Sequence, residues 1–232
     1  MNKLKISFRI FTFITMGTIL TLSYSCKKDS SSSSTSTNTN NNNTTPGYVT
    51  DIDGNTYKTV TIGTQVWMAS NLKVKHYNNG SAITYSTTSS SSGTYCYYST
   101  LDSAKFGLFY NFAAVSTGNL APTGWHVPTN ADYTTLITYL GGATTAGAAL
   151  KESGTADWMT PNTGATNSSG FTALPGGYFL GSATDITNDG NFWSSTASSS
   201  NAYYLYLYYG STNATMDNGT QSLCLSVRCV KN

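Results

Sequence analysis

Apolar and polar positions alternate with a period of two over residues 48–68, which is typical of β-strands. Two such runs, 48–51 and 56–62, flank an Asp-Gly-Asn sequence at 53–55, which is a strong turn signal. The alternation continues over 64–68. The pattern therefore predicts a three-stranded meander in this part of the chain.

Further strands are predicted from short runs rich in aromatic and β-branched residues at 95–98, 191–195, 202–209 and 223–230. The apolar run 106–115 fits either a buried strand or a short buried helix, because its length does not separate the two. An Asn-Gly pair stands between the last two strands, so we expect them to form a hairpin.

One helix is well marked. Thr129 can cap it and Asp132 stands three residues on, close to a capping box. Apolar residues follow at helical spacing until the glycine pair 141–142, which ends the helix. A weaker helix is predicted over 146–151, followed by a long irregular section rich in Gly, Asn, Ser and Thr.

The strand predicted over 202–209 separates its side chains into two rows. Because successive residues point to opposite faces, one face carries three tyrosines, Tyr204, Tyr206 and Tyr208. The other face carries Tyr203, Leu205, Leu207 and Tyr209. If the first face is exposed, its three rings form a candidate platform for a ligand.

Residues 1–25 have the order of a secretory signal peptide: a basic start, an uncharged and mostly apolar run over 10–22, and then small residues. The apolar run is shorter than the roughly 20 residues that a transmembrane helix needs. Cys26 follows directly, which resembles the lipobox of bacterial lipoproteins, where the thiol receives a diacylglyceryl group and the chain is cut before it. The alternative is an ordinary signal peptide that is cut nearby.

Residues 26–46 predict a disordered tether that begins at the lipidated Cys26. Its section 30–45 contains only Ser, Thr and Asn, so it has no apolar surface to offset the entropy of ordering. Two or three acyl chains would anchor the tether stably, which makes the membrane the first expected partner. We expect a bacterial cell-envelope protein, an outer membrane lipoprotein on the surface or the periplasmic face.

The remaining residues, 47–232, are enough for one well-buried domain. Their composition limits the classes of function that this domain can have. Three of the twelve basic residues lie in the signal region, so the rest of the chain, with nine basic and ten acidic residues, is near neutral. Nucleic acid is not an expected partner, since that function calls for a clustered basic face. The 17 tyrosines suit either β-structure or contact with carbohydrate.

Seven segments of this region resemble the Fibrobacter succinogenes major paralogous domain, and they occur in the same order. They are 66–73 (VWMASNLK), 106–111 (FGLFYN), 122–129 (PTGWHVPT), 140–142 (LGG), 171–177 (FTALPGG), 192–196 (FWSST) and 226–230 (SVRCV). The resemblance implies a secreted or lipid-anchored bacterial protein whose molecular function is undefined.

A more distant likeness to sulfatase-modifying factors and C-type-lectin-like domains implies the fold. It rests on a Trp before the Pro-Thr helix start, a long irregular middle, a Trp strand and a last hairpin ending in Arg228. The implied class is α+β, a mixed domain with short antiparallel sheets, one clear helix and long irregular loops. Fold likeness carries little about activity.

Three cysteines remain if Cys26 is lipidated. Cys224 and Cys229 are five residues apart on one predicted strand, so they point to opposite faces and should not pair with each other. An oxidising envelope favours one disulfide, for which Cys96 and Cys229 are the first candidate pair and Cys96 with Cys224 the second. Relatives often carry Cys at the position of Ala121, a natural partner for Cys229, and its absence puts that family disulfide in doubt here. The alternative is that no cysteine pairs.

Candidate chemistry is sparse. No phosphate-binding loop, zinc spacing or nucleophile elbow is present, and no motif points to a catalytic residue. Asp185, Asn188, Asp189 and Asn191 cluster around Gly190, so a structural calcium ion is a candidate cofactor, although the same residues are typical of an ordinary turn.

The sequence therefore predicts a cell-envelope lipoprotein that presents a non-catalytic binding or adhesion domain. Its partner would be carbohydrate or another surface protein, and the tyrosine face 204–208 is the candidate site. Two alternatives stay open: an enzyme distantly related to sulfatase-modifying factors, and a structural surface protein without a small ligand.

Overall fold

The computed structural model describes residues 47–88, 90–97 and 103–232. Strands and a few helices are mixed along these residues, which confirms the predicted α+β class. The predicted signal peptide (1–25) and the tether (26–46), including Cys26, lie outside the described residues. Among the helices of the described ranges, none combines the length and apolarity needed to cross a bilayer.

A first sheet is built from five strands, all paired with their neighbours in the antiparallel sense. They are β1 (Tyr48–Thr50), β2 (Thr56–Ile62), β3 (Gln65–Met68), β7 (Trp125–His126) and β14 (Val230–Lys231). Their order is β1-β2-β3-β14-β7, so the predicted meander is confirmed. The last strand of the chain inserts beside β3, which joins both ends of the domain in one sheet.

A single carboxylate organises the turn between β1 and β2. Asp51 Oδ1 accepts hydrogen bonds from the backbone N–H groups of Asp53 (3.0 Å) and Asn55 (2.9 Å). The backbone of Gly54 has a φ of +80°. Residues with a side chain rarely adopt this value, so the turn favours glycine at this position. The buried Tyr57 hydroxyl donates to Asp51 Oδ2 at 2.5 Å and so fixes the turn to β2.

The described residues form a second sheet of nine strands. They are β4 (Thr84–Tyr85), β5 (Thr94–Cys96), β6 (Phe109–Asn111), β8 (Tyr178–Phe179), β9 (Ala183–Thr184), β10 (Asp189–Ser198), β11 (Asn201–Tyr208), β12 (Ala214–Thr220) and β13 (Cys224–Ser226). The main order is β12-β11-β10-β13-β6-β5-β4, with β8 beside β13 and β9 beside β8. Two of its pairings, β10 with β13 and β4 with β5, are parallel.

The structure corrects the predicted hairpin between the last two long strands. Strand β11 pairs with β10 on one side and with β12 on the other, and β13 lies beyond β10, away from β11. Asn218 and Gly219 stand inside β12, where they face Tyr203 and Ala202, instead of forming a turn. A strand with such residues is tolerated at this position because β12 is at the edge of the sheet.

Four helices occur in the described parts of the chain: α1 (Ser103–Phe106), α2 (Phe112–Val115), α3 (Asn130–Tyr139) and α4 (Ala146–Leu150). Both structures predicted for the apolar run 106–115, a buried strand and a short helix, occur in it, because strand β6 runs directly into helix α2. Asn111 makes this switch, because its side chain accepts a hydrogen bond from the backbone N–H of Ala114 and caps α2.

The start of α3 is the predicted capping box. Thr129 Oγ1 accepts from the backbone N–H of Asp132, and Asp132 Oδ2 accepts from the backbone N–H of Thr129 at 2.8 Å. Burial alone would raise the pKa of Asp132, but the hydrogen bonds from Thr129 and His126 outweigh it and hold the pKa below its usual value. The carboxylate therefore remains charged at the positive end of the helix dipole.

Within the described residues, most core side chains belong to two large clusters, and a third, small cluster contains Cys96. Trp193 belongs to one and donates through Nε1 to the carbonyl oxygen of Tyr110 at 2.7 Å. Phe192 belongs to the other, together with Trp67. Because adjacent strand residues point to opposite faces, β10 contributes to both clusters.

Candidate functional site

The three predicted platform residues lie together on β11. Tyr204, Tyr206 and Tyr208 alternate along the strand, which runs antiparallel to both β10 and β12. Exposure to solvent increases along the row: Tyr204 and Tyr206 are half-buried, and Tyr208 is 37% exposed. The inner end of the row is fixed by Trp193, whose ring meets that of Tyr204 at a centroid distance of 6.0 Å.

Carboxylates hold two of the three hydroxyl groups. The Tyr204 hydroxyl donates to Asp217 Oδ2 and the Tyr206 hydroxyl donates to Asp189 Oδ1, both at 3.3 Å. The rings of Tyr206 and Tyr208 are nearly parallel, with centroids 6.5 Å apart and an angle of 15° between planes. The row is therefore an ordered surface that combines aromatic rings with acceptor oxygens.

Electrostatics set the protonation of this surface. Burial, with the nearby Asp185, raises the pKa of Asp189 to about 6. Burial and Asp217 raise the pKa of Tyr204 to about 12, and burial and Asp189 raise the pKa of Tyr206 further. At neutral pH the phenols are thus neutral donors and Asp189 is largely ionised, which suits recognition of hydroxyl groups and offers no activated nucleophile.

The four calcium candidates are divided between a turn and a strand. Asp185 lies in the turn before β10 with a φ of +54°, and its carbonyl oxygen accepts from the N–H groups of Asn188 and Asp189. Asn191 is buried within β10, opposite Tyr206. Asp185 and Asp189 are the two carboxylates that could hold a cation here.

The backbone hydrogen bonds to the carbonyl oxygen of Asp185 are those of an ordinary turn. Over the described ranges, no three side chains of the His, Cys, Asp or Glu type gather closely enough to hold a metal ion. Calcium binding at Asp185, Asn188, Asp189 and Asn191 stays a prediction.

The structure corrects the first-choice disulfide. Cys96 lies in a small cluster with Phe109, Phe179 and Cys224, whereas Cys229 is buried in the cluster that contains Trp193. Strand β14 begins directly after Cys229 and leads into the other sheet, which takes its thiol away from Cys96. All three are free thiols in the structure.

Several side chains with acid–base character are engaged in pairs. His76 Nδ1 lies 2.6 Å from Asp53 Oδ1, and His126 Nε2 lies 3.1 Å from Asp132 Oδ2 at the start of α3. Asp157 accepts from Lys105 Nζ at 2.6 Å and contacts Glu152. Burial and this neighbouring carboxylate raise the pKa of Glu152.

A second group of exposed tyrosines was not singled out from the sequence. The ring of Tyr85 lies 5.7 Å from that of Tyr95 and 5.0 Å from that of Tyr97, at the β4 edge of the second sheet. Tyr85 is 46% exposed and Tyr97 is 40% exposed. The alternation in the sequence indicates that Tyr95 and Tyr97 share one face. Tyr85 lies beside them because β4 pairs with β5 in the parallel sense, which no local pattern predicts.

Comparison with known proteins supports one assignment. No curated protein matches the chain, and no solved structure matches it either. The sequence model of the Fibrobacter succinogenes major domain matches residues 60–231, which include all the strands and helices from β3 to β14 and the tyrosine row. The chain therefore belongs to the Fibrobacter succinogenes major domain family.

Proposed function

We propose that this protein is a cell-envelope lipoprotein whose folded domain binds saccharide without catalysing a reaction. The anchor rests on the signal-like residues 1–25 and on Cys26, followed by a tether of Ser, Thr and Asn. A coil of 16 such residues reaches roughly 20–25 Å, which would hold the domain clear of a membrane surface.

The single observation that carries the binding proposal is the tyrosine row on β11. A sugar ring presents C–H groups on its faces and hydroxyl groups around its edge, so it needs apolar rings together with polar acceptors. Tyr206 and Tyr208 supply parallel rings, while Asp189 and Asp217 supply acceptors beside them. The proposal includes a C-type-lectin-like fold, but the binding role rests on the tyrosine row and not on that likeness.

Non-catalytic binding is favoured over an enzymatic role because the groups that could react are held in other contacts. His76 pairs with Asp53, and His126 pairs with Asp132 at the start of α3. Burial raises the pKa of Cys229, which disfavours the nucleophilic thiolate.

Replacing Tyr206 with alanine is expected to weaken saccharide binding by about 0.5–1.5 kcal/mol, or roughly twofold to tenfold, because one ring of the row is lost. Tyr206→Phe keeps the ring and removes the donor to Asp189, so it separates stacking from hydrogen bonding. A glycan array with the wild-type protein identifies a bound glycan, and calorimetry with that glycan measures the variants.

Tyr139→Ala is the matched control, since Tyr139 is 65% exposed on α3 and the same side chain is removed outside the row. The binding proposal fails if Tyr206→Ala and Tyr139→Ala bind the glycan equally well. An array on which the wild-type protein binds nothing would favour a structural role without a small ligand.

Replacing Cys26 with serine is expected to move the protein from the membrane fraction to the soluble fraction, because serine offers no thiol for lipidation. Fractionation of expressing cells and mass spectrometry of the mature N-terminus measure the effect. Ser25→Ala is the control, since it keeps both a small residue and the cysteine. An unacylated wild-type N-terminus would contradict the anchor while leaving the binding proposal intact.

A further inference from the structure

Two carboxylates share a face of the second sheet with the tyrosine row. Asp189 of β10 stands directly opposite Tyr208, and Asp217 of β12 stands directly opposite Tyr204. Residues opposite each other in an antiparallel pair project from the same face of the sheet. The register therefore places both carboxylates on the tyrosine face, whereas the other face of β11, with Leu205, is buried in the core.

The two carboxylates flank the row at opposite ends and on opposite sides. Tyr204 and Tyr208 are four residues apart, which corresponds to about 13–14 Å along the strand. Asp189 and Asp217 are on strands separated by β11, which adds about 9–10 Å across the sheet. A ligand that lies along the row from Tyr204 to Tyr208 therefore meets one carboxylate near each end.

The chain supplies this face with negative charge and with no positive charge of its own. Residues 152–227, which include β10, β11 and β12, contain five acidic residues and no Lys, Arg or His. Lys151 and Arg228, which bound this stretch, are fully buried and donate to oxygen atoms inside the domain. Within the described residues, neither Asp189 nor Asp217 forms a salt bridge.

Asp189 is the carboxylate with the stronger need for a counter-charge. It is only 8% exposed, and its carboxylate accepts a hydrogen bond from the neutral Tyr206 hydroxyl. Burying a carboxylate without a cation is costly, and the raised pKa of Asp189 reflects this cost. A positively charged ligand at the row would supply the missing partner.

We propose that the saccharide bound at the tyrosine row is positively charged, an oligosaccharide of amino sugars with free amines. The inference rests on the proposed saccharide binding and specifies its ligand. Ammonium groups are attracted both to the faces of tyrosine rings and to carboxylates, so the row and its two flanking acids favour the same ligand. An acidic saccharide would be repelled by the same two groups.

A glucosamine hexamer and its fully N-acetylated counterpart test the charge directly, because they share rings and linkages and differ in the protonated amines. Calorimetry with the protein without its signal peptide measures both at pH 6.5, below the usual amine pKa of about 8. At about 0.02 M salt the free-amine hexamer is expected to bind roughly threefold to tenfold more tightly. The preference should shrink at about 0.3 M salt, since exposed charges are screened.

Asp217→Asn is the first variant, because it removes the charge at an exposed position and keeps an acceptor for the Tyr204 hydroxyl. It should reduce the preference for the free-amine hexamer. Asp29→Asn is the matched control, since it removes the same charge from the predicted tether, and it should keep the preference.

The comparison of the two hexamers uses the unsubstituted chain, so it stands even if a variant folds poorly. Equal binding at low salt, or tighter binding of the N-acetylated hexamer, overturns the inference and leaves the proposed saccharide binding intact. A preference that is unchanged in Asp217→Asn overturns it as well. If neither hexamer binds, the inference also fails, and the glycan array then tests saccharide binding by itself.

Discussion

Arg228→Met is expected to lower the free energy of unfolding by about 3–5 kcal/mol, which is a large share of the stability of a domain this size. Arg228 is fully buried between β13 and β14. Its Nε and Nη2 atoms donate to Asn71 Oδ1, and its Nη1 and Nη2 atoms donate to the carbonyl oxygens of Phe171 and Thr172. Methionine fills similar space but donates to none of these acceptors.

The cost arises from acceptors left without donors in a dry interior, each worth about 1–3 kcal/mol. The guanidinium also lies over the ring of Phe171, with Cζ 4.3 Å from the centroid, and near that of Phe192 at 5.4 Å. Arg228→Lys keeps the charge and loses the planar fork of donors, so it should fall between wild type and Arg228→Met.

Urea unfolding followed by tryptophan fluorescence measures both variants. Lys231→Met is the control, because it removes a positive charge three residues further on at an exposed position and should change stability by no more than about 0.5 kcal/mol. A loss below about 1 kcal/mol for Arg228→Met would show that Arg228 does not hold the 171–172 segment against Asn71.

Local signals in the sequence were enough for the elements that depend on local contacts. The β1–β2 turn follows from Asp51, Gly54 and Asn55, whose side-chain and backbone preferences act within five residues. The start of α3 follows from Thr129 and Asp132, which cap each other. In both cases the residues that set the structure are neighbours in the chain.

Pairings between distant segments were not predictable in the same way. The residues of β12, ATMDNGT, carry an Asn-Gly pair that normally indicates a turn, and they form a strand only because β11 offers them a partner. The small cluster of Cys96, Phe109, Phe179 and Cys224 likewise depends on the assembly of β5, β6, β8 and β13 into one sheet. The alternation that placed three tyrosines on one face of β11 is local, whereas their carboxylate partners Asp189 and Asp217 come from neighbouring strands.

Lys151 is the residue whose observed burial differs most from what its residue type and its position in the sequence indicate. It follows α4 and would ordinarily extend into water, yet it is fully buried. Its Nζ donates to the carbonyl oxygens of Thr163 (3.1 Å), Tyr208 (3.1 Å) and Ser211 (2.8 Å), and lies 5.4 Å from the centroid of Trp158. The ammonium thereby joins the irregular segment after α4 to the end of the tyrosine row.

Lys151→Met is expected to lower the free energy of unfolding by about 2–4 kcal/mol at pH 7, because several buried carbonyl oxygens lose their donor together. The turn that follows Tyr208 should also loosen, since that turn supplies most of these oxygens. Urea unfolding measures the loss, and hydrogen exchange of the 208–211 amides reports the local opening.

The effect of Lys151 should grow with pH, which a neutral packing contact would not show. Burial lowers the pKa of Lys151 from its ordinary 10.5 to about 8. Between these two values the unfolded chain keeps the proton and the folded chain has released it. The unfolded state then binds more protons, so the contribution of Lys151 to stability rises as the pH rises from about 8 towards 10.5.

The difference in unfolding free energy between wild type and Lys151→Met should therefore be larger at pH 10 than at pH 7, by up to about 3 kcal/mol. Both proteins share every other titrating group, so the difference isolates this ammonium. Lys58→Met, at an exposed position of β2, should show a small difference that does not change over the same range. A difference for Lys151→Met that stays constant from pH 7 to pH 10 would mean that the folded domain keeps Lys151 charged, and that the carbonyl oxygens offset its burial in full.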